Sequence, residues 1–172
     1  MNMDKREPVG GIIRRVAAED AAEIADIYNV YVTRSTASFE VEPVGVDSMR
    51  QRVEQISAHY PYWVYEAGGR VVGYCYAHEW KERPAYRCTY ETTVYVAEDY
   101  VGRGIGRQLM ERLIDSCRLC ECRALIACIT AENEASIAMH RKLGFEPVSR
   151  FREVGRKFGR WLDVVDCELL LH

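Results

Sequence analysis

The stretch Tyr90 to Leu113, YETTVYVAEDYVGRGIGRQLMERL, constrains this chain more than any other. Glu91 precedes a run of β-formers, Thr92, Thr93, Val94, Tyr95 and Val96, which predicts a strand. Three alternating glycines follow, Gly102, Gly104 and Gly106. Leu109, Leu113 and Cys117 then recur at i, i+4, i+8, the stripe of a helix with one buried face. A strand, a glycine-rich loop and a helix in this order suit an anion. The first N–H groups of a helix have no internal partner, and the helix dipole adds partial positive charge there. Glycines let the backbone approach closely at φ > 0. Arg103 and Arg107 add full charges, and a pyrophosphate fits such a place. The same residues could also make only a tight turn. They are not a P-loop, because Arg107 and Gln108 stand where Lys and Ser/Thr are needed. They are not a dinucleotide fingerprint either, because the glycine spacing is wrong and the unit falls past mid-chain.

The rest of the chain surrounds this unit. Residues 1–10 are polar and aperiodic and are expected to form a flexible tail, with one domain over 11–172. A strand is predicted over Gly11–Val16 and a helix over Ala18–Val32. Thr33–Pro43 reads either as a surface loop anchored by Phe39 or as a substrate-side loop between two helices. A second helix, capped by Asp47, is expected to run to His59. Tyr62–Glu66 and Arg70–His78 read as a hairpin turning at Gly68-Gly69, with a bulge at Gly73. Glu79–Arg87 is an aromatic and cationic loop. Arg123–Thr130 reads as a strand buried on both faces. A short helix opens near Asn133 and stops at Gly144, a suitable C′ residue. Strands are expected over Phe145–Glu153 and Leu162–Leu171, joined by a basic loop, Val154–Trp161. Together these predict a single α/β domain on a mixed sheet.

Composition removes several function classes. The net charge of −3 argues against nucleic acid as the ligand, since phosphate neutralisation needs a basic surface. No apolar run approaches the ~18 residues of a membrane span. The start, MNMDKREPVGG, lacks a secretory core, so a cytoplasmic location is expected. The seven cysteines are read as reduced core residues. Cys117-x-x-Cys120-x-Cys122 lacks a second matching pair, so no metal site is expected.

On the short helix, Asn133, Ser136, Ile137 and His140 share one face. Three of the four are polar, which points them at a ligand or at solvent.

Taken together, these segments resemble the GNAT-type N-acetyltransferases. Their cofactor motif is Gln/Arg-x-x-Gly-x-Gly/Ala after a strand. Gly104-Ile105-Gly106 matches it, while Val101 replaces the usual Gln or Arg and leaves only backbone donors at that point. The phosphinothricin N-acetyltransferase-like branch is similar in Thr36–Phe39, in Glu42-Pro43, in Tyr90–Val96, in His140 four residues before Gly144-Phe145, and in Lys157-Phe158-Gly159-Arg160-Trp161-Leu162-Asp163. The similarity runs from about Ile12 to Leu171.

The resemblance implies a mostly antiparallel sheet whose central strands splay to hold acetyl-CoA. It implies Val94, Tyr95 and Val96 beside the cofactor, with the pyrophosphate on Gly102, Arg103, Gly104, Ile105, Gly106 and Arg107. Asn133 and Ser136 would hold the pantetheine arm. Glu91 would be the base that frees the amine. A backbone N–H near Val94 would meet charge growing on the thioester oxygen. His140 would be general acid or second base. The acceptor would be phosphinothricin, methionine sulfoximine or methionine sulfone, met by Phe39, Trp80, Lys81, Arg83, Tyr86, Arg87 and Arg160. A homodimer is implied as well. Two other readings stand beside this one: acetylation of another amine or a protein N-terminus, and a non-catalytic acyl-CoA sensor.

Overall fold

The computed structural model describes residues 10–172. The expected N-terminal tail therefore lies outside the described residues, apart from Gly10. The elements in chain order are β1 (Ile12–Arg15), α1 (Ala21–Arg34), α2 (Val46–Ser57), β2 (Tyr62–Ala67), β3 (Arg70–Glu79), β4 (Thr89–Val96), α3 (Ile105–Arg118), β5 (Ala124–Thr130), α4 (Glu134–Lys142), β6 (Glu146–Lys157) and β7 (Arg160–Leu170). One seven-stranded sheet runs β1-β2-β3-β4-β5-β7-β6. Every neighbouring pair is antiparallel except β4–β5.

That exception makes the site. β4 and β5 pair only at Thr89↔Ala124, Tyr90↔Leu125 and Glu91↔Ile126. Beyond Glu91, β4 continues against β3 as far as Val96, while β5 continues against β7 as far as Thr130. The two strands splay, and the sheet opens at its centre.

Two cores flank the opening. On one face α3 buries Ile105, Leu109, Met110, Leu113, Ile114 and Cys117. Each large apolar side chain so buried contributes roughly 1.5–3 kcal/mol. Gly73 is the floor under this helix. A Cβ there would come 3.2 Å from both Ile105 and Leu109. The register shift lies opposite it, between Tyr65 and Glu66, as the bulge reading expects. On the other face α1 and α2 bury Ile24, Ile27, Met49 and Val53 against Val64, Val71 and Tyr74.

Three boundary expectations need correcting. The first helix starts at Ala21, after a 3₁₀ turn over Ala18–Asp20. Asp20 is spent there, accepting from Ala17 N at 2.7 Å and from Arg14 at 2.8 Å. Gly45 rather than Asp47 is the N-cap of α2, which ends at Ser57. The supposed loop Val154–Trp161 is mostly strand. β6 and β7 meet in a two-residue turn, Phe158-Gly159, with φ 49° and 76°. Positive φ at both residues matches the right-handed twist of a tight hairpin. β6 also carries a bulge between Phe151 and Gly155, where Glu153 has φ 55°. Arg156 and Arg160, which looked like loop composition, are on the outward side of a paired ribbon, while Lys157 turns inward and is buried.

Candidate active site

The opening between β4 and β5 is a cavity of about 1180 Å³. That exceeds the ~300–1,000 Å³ typical of small-molecule sites. Glu91 to Val96 form one wall and Ala127 to Thr130 another; the glycine loop and α4 close one side, and the 35–39 segment closes the other.

At the glycine-loop end the backbone does the work. Gly102 has φ 80° and Gly104 has φ 81°, left-handed conformations that glycine adopts without strain. Gly104 is the N-cap of α3, and the first intrahelical bond runs from Gln108 N to Gly104 O. The N–H groups of Ile105, Gly106 and Arg107 are therefore outside the helix ladder. A Cβ at Gly102 would meet nothing within 4 Å. Arg103 stacks its guanidinium on Tyr100 at 5.2 Å, and its Nε is buried without a partner. Arg103 itself is not among the residues lining the cavity. Arg107 is exposed and paired with Glu111 at 2.8 Å. Free amides and a β4 edge that β5 leaves unpaired beyond Glu91 together fit a pyrophosphate followed by an extended arm. Asn133 lines the cavity and also caps α4, accepting from Ser136 N at 3.2 Å.

At the other end stand the titratable groups. Glu91 sits on β4 directly opposite His78 on β3, with Nε2 3.9 Å from its carboxylate. Burial raises its pKa. The His78 charge and a bond from Cys128 oppose the shift, and Asp166 adds to it. His140 is 3% exposed and packs edge-on against Phe145 at 5.0 Å. Its Nδ1 lies 2.8 Å from Ser136 O, so that nitrogen carries the proton and Nε2 is left bare. Burial lowers the pKa of His140, and the Ser136 bond partly offsets this. It is a neutral imidazole near neutral pH.

The predicted residues divide. Glu91, Val94, Tyr95, Val96, Gly102, Gly104, Ile105, Gly106, Arg107, Asn133, Ser136, His140 and Phe39 all line the cavity. Trp80, Lys81, Arg83, Tyr86 and Arg87 do not; they stand in the turn between β3 and β4, beyond its Glu91 end. Lys81 lies over Trp80 at 4.0 Å and near Tyr86 at 5.3 Å, so its charge is engaged by aromatic faces. Arg160 pairs with Glu132 through two bonds, at 2.7 and 2.8 Å, and also stands outside the lining. Sequence reasoning missed Ser35, Ala37, Ser38 and Cys128 as lining residues. The 33–43 stretch reads as a surface loop or a substrate-side loop, and only Phe39 stands out in it as a site residue. Cys128 was read as core, yet it opens on the cavity between Glu91 and Asp166. Partial burial and those carboxylates push its thiol far up, so it stays protonated and is no nucleophile. Among the described residues no group of three His, Cys, Asp or Glu side chains is placed to hold a metal ion.

Splayed strands with a phosphate loop at one end and a raised carboxylate at the other define a coenzyme A-ester acyltransferase site. The chain belongs to the acetyltransferase (GNAT) family, which it matches over residues 7–145. It is 39% identical over 160 residues to the L-amino acid N-acyltransferase MnaT of Escherichia coli K12, covering 92% of this chain and 93% of that one. It is 41% identical over 155 residues to a phosphinothricin N-acetyltransferase of Alcaligenes faecalis, covering 89% and 79%. The fold matches yncA, an acetyltransferase from Salmonella typhimurium solved with its cofactor acetyl-CoA, at a TM-score of 0.93 and 36% identity, covering 95% of each chain. The chain is thus an N-acetyltransferase with acetyl-CoA as its acetyl donor.

Proposed function

We propose that this enzyme acetylates the α-amino group of a small amino acid analogue: phosphinothricin, methionine sulfoximine or methionine sulfone. Transfer is direct, within a ternary complex, and no acyl-enzyme forms. The observation that carries this reading is that Glu91 and His140 line one cavity, each offering a proton-accepting atom.

Proton accounting assigns their roles. An acceptor ammonium loses two protons on becoming an amide. One ends on the coenzyme sulfur and the other leaves to solvent. Glu91, a carboxylate poised by burial for proton uptake, takes the first and releases it. His140 has a bare Nε2 and is neutral, so it accepts the second and returns it to the departing sulfur. Burial of the ring disfavours a His140 that rests protonated and acts only as an acid. The acetyl donor supplies the activated thioester. Ile105, Gly106 and Arg107 N–H hold its pyrophosphate, Asn133 and Ser136 its pantetheine arm, and the β4 edge at Val94 the thioester oxygen. Holding amine and thioester together supplies much of the rate. Phe39 walls the acceptor. Lys81, Arg83 and Arg87, with Trp80 and Tyr86 as aromatic walls, form a rim beyond the Glu91 end suited to the acceptor's anionic groups.

A homodimer accompanies this reading. β6 is an edge strand, and Val148, Phe151, Val154, Phe158 and the β7 residue Trp161 are all exposed by about half or more. An apolar edge of this kind is a self-association surface, and Arg160 lies beside it. The working compartment is the cytoplasm.

The test is coenzyme A release from acetyl-CoA with each acceptor, comparing wild type with Glu91→Gln. Turnover with one of the three, abolished in the variant, supports the reading. No turnover with any of them, acetyl-CoA still binding, overturns the acceptor class.

A further inference from the structure

Residues 35–39 close the acceptor end of the cavity, yet they belong to neither helix nor strand. A partly buried irregular segment must find partners for its carbonyls elsewhere. Here four consecutive carbonyls each accept a side-chain donor from the sheet. Ser35 O takes Lys157 Nζ at 2.7 Å, Thr36 O takes Thr130 Oγ1 at 3.3 Å, Ala37 O takes Tyr95 Oη at 3.2 Å, and Ser38 O takes Lys157 Nζ at 2.6 Å. Lys157 thus holds both ends of the run. A third bond, to Tyr31 O at 3.4 Å, ties the ammonium to the last turn of α1, where the helix dipole favours a cation.

Lys157 is 4% exposed, and its ammonium donates to three neutral carbonyls. Burial pulls its ammonium below the usual lysine range. Burying a charge merely to fill space is costly, and an apolar side chain of similar length would fill it more cheaply. The neighbouring contact is steric. A Cβ added at Gly155 would come within 2.2 Å of Phe39 Cε2. Phe39 therefore rests on bare backbone, where β6 has no side chain.

We propose that Lys157 and Gly155, neither of which lines the cavity, are positioning residues that set the width of the acceptor site through the 35–39 segment. Lys157 fixes the path of the backbone, and Gly155 fixes how far Phe39 withdraws. Acceptor selectivity is thereby written in the β6–β7 hairpin, more than a hundred positions along the chain from the wall it shapes. The inference rests on the reading that the Phe39 end receives the acceptor.

The experiment uses full-length Lys157→Met and, separately, Gly155→Ala. Three quantities are measured: acceptor KM and kcat, acetyl-CoA Kd, and amide hydrogen exchange over 35–39. Acceptor KM is expected to rise about tenfold in each, with kcat changed less than about twofold and acetyl-CoA Kd unchanged. Exchange over 35–39 is expected to quicken in Lys157→Met while α3 stays protected. Should Lys157→Met fail to fold, Gly155→Ala still decides, because it removes no hydrogen bond. Unchanged acceptor KM in the folded variants overturns the proposal, and so does a matching loss of acetyl-CoA affinity, which would mean general loosening. If no acceptor turns over in the wild type, the functional reading fails, while the exchange data still decide whether Lys157 positions the segment.

Discussion

The two ends of the cavity are built in opposite ways. The end proposed for acetyl-CoA comes mainly from one continuous piece of chain, β4 through the glycine loop into α3, with Asn133 and Ser136 added from α4, and its donors are mostly backbone. The acceptor end is assembled from distant pieces: Glu91 and His78 from neighbouring strands, Cys128 from β5, Phe39 from the α1–α2 connection, and Lys157 from β6. Its groups titrate and its walls are irregular. A backbone site serves a cosubstrate that does not vary. A side-chain site, supported from behind, can be retuned without disturbing the first.

If the ends are independent, the largest effect should fall on rate alone. Glu91→Gln keeps the shape but removes the proton acceptor. Turnover is expected to drop by about 10²–10⁴, with acetyl-CoA affinity by calorimetry unchanged. Equal turnover would remove Glu91 from the mechanism. The pH profile sharpens this. Activity needs Glu91 and His140 both unprotonated and should be lost as pH falls through either folded value, so the acid limb lies above the ordinary glutamate value of about 4.3. The His78 charge opposes the shift, so His78→Ala should move the limb to still higher pH.

The complementary break is Gly104→Ala. The new methyl meets only Gln108 Nε2, at 3.9 Å, so any cost comes from φ 81° rather than from a clash. Left-handed backbone costs a non-glycine residue roughly 1–2 kcal/mol, and relief would turn the α3 amides away from the phosphate. Acetyl-CoA Kd is expected to rise about tenfold, with acceptor KM at saturating acetyl-CoA unmoved. A parallel rise in acceptor KM would show that the two ends are coupled through β4.

The same contrast explains what could be read from the residues alone. The acetyl-CoA end was legible because its physics is local: strand formers, then glycines, then an i, i+4 stripe, all within one short window. The hairpin was misread for a local reason as well, since Gly155, Phe158 and Gly159 looked like loop punctuation and are a bulge and a tight turn. The acceptor end was only half legible. Glu91, His140 and Phe39 could be singled out, but the splay that leaves Cys128 exposed depends on where β4 and β5 stop pairing. No short-range pattern reports that. Lys157 stood out only as part of a basic loop and of the Lys157–Asp163 similarity. Its burial follows from a fold contact with Ser35 and Ser38, which sequence spacing does not encode.

Asn133→Ala tests the seam between the ends. It deletes the α4 cap that binds Ser136 N. The cost should be about 1 kcal/mol, or roughly 2–4 °C in Tm for a chain of this size. Because α4 carries His140, kcat should fall with it. A Tm loss with kcat intact would show that α4 holds His140 without its cap.

The smallest effect separates the ends by their response to pH. His140 has a folded pKa below its unfolded value of about 6.5. Above that pH the ring is neutral in both states and stability does not change on its account. Below it the unfolded chain binds a proton that the folded chain refuses, so stability is lost as pH falls towards the folded value. Glu91 runs the other way. Its folded pKa is raised, so its contribution is fully present below about pH 4.3 and is lost as pH rises through the folded value. Thermal melts across pH should therefore show His140→Gln flattening the acid-side decline and Glu91→Gln gaining on wild type as pH rises, each unit of pKa difference being worth about 1.4 kcal/mol. Gly104→Ala, at the backbone end, should lower Tm by the same amount at every pH. A pH-dependent offset in that variant would mean that the glycine loop and the titrating groups share one equilibrium, and the division between the ends would fail.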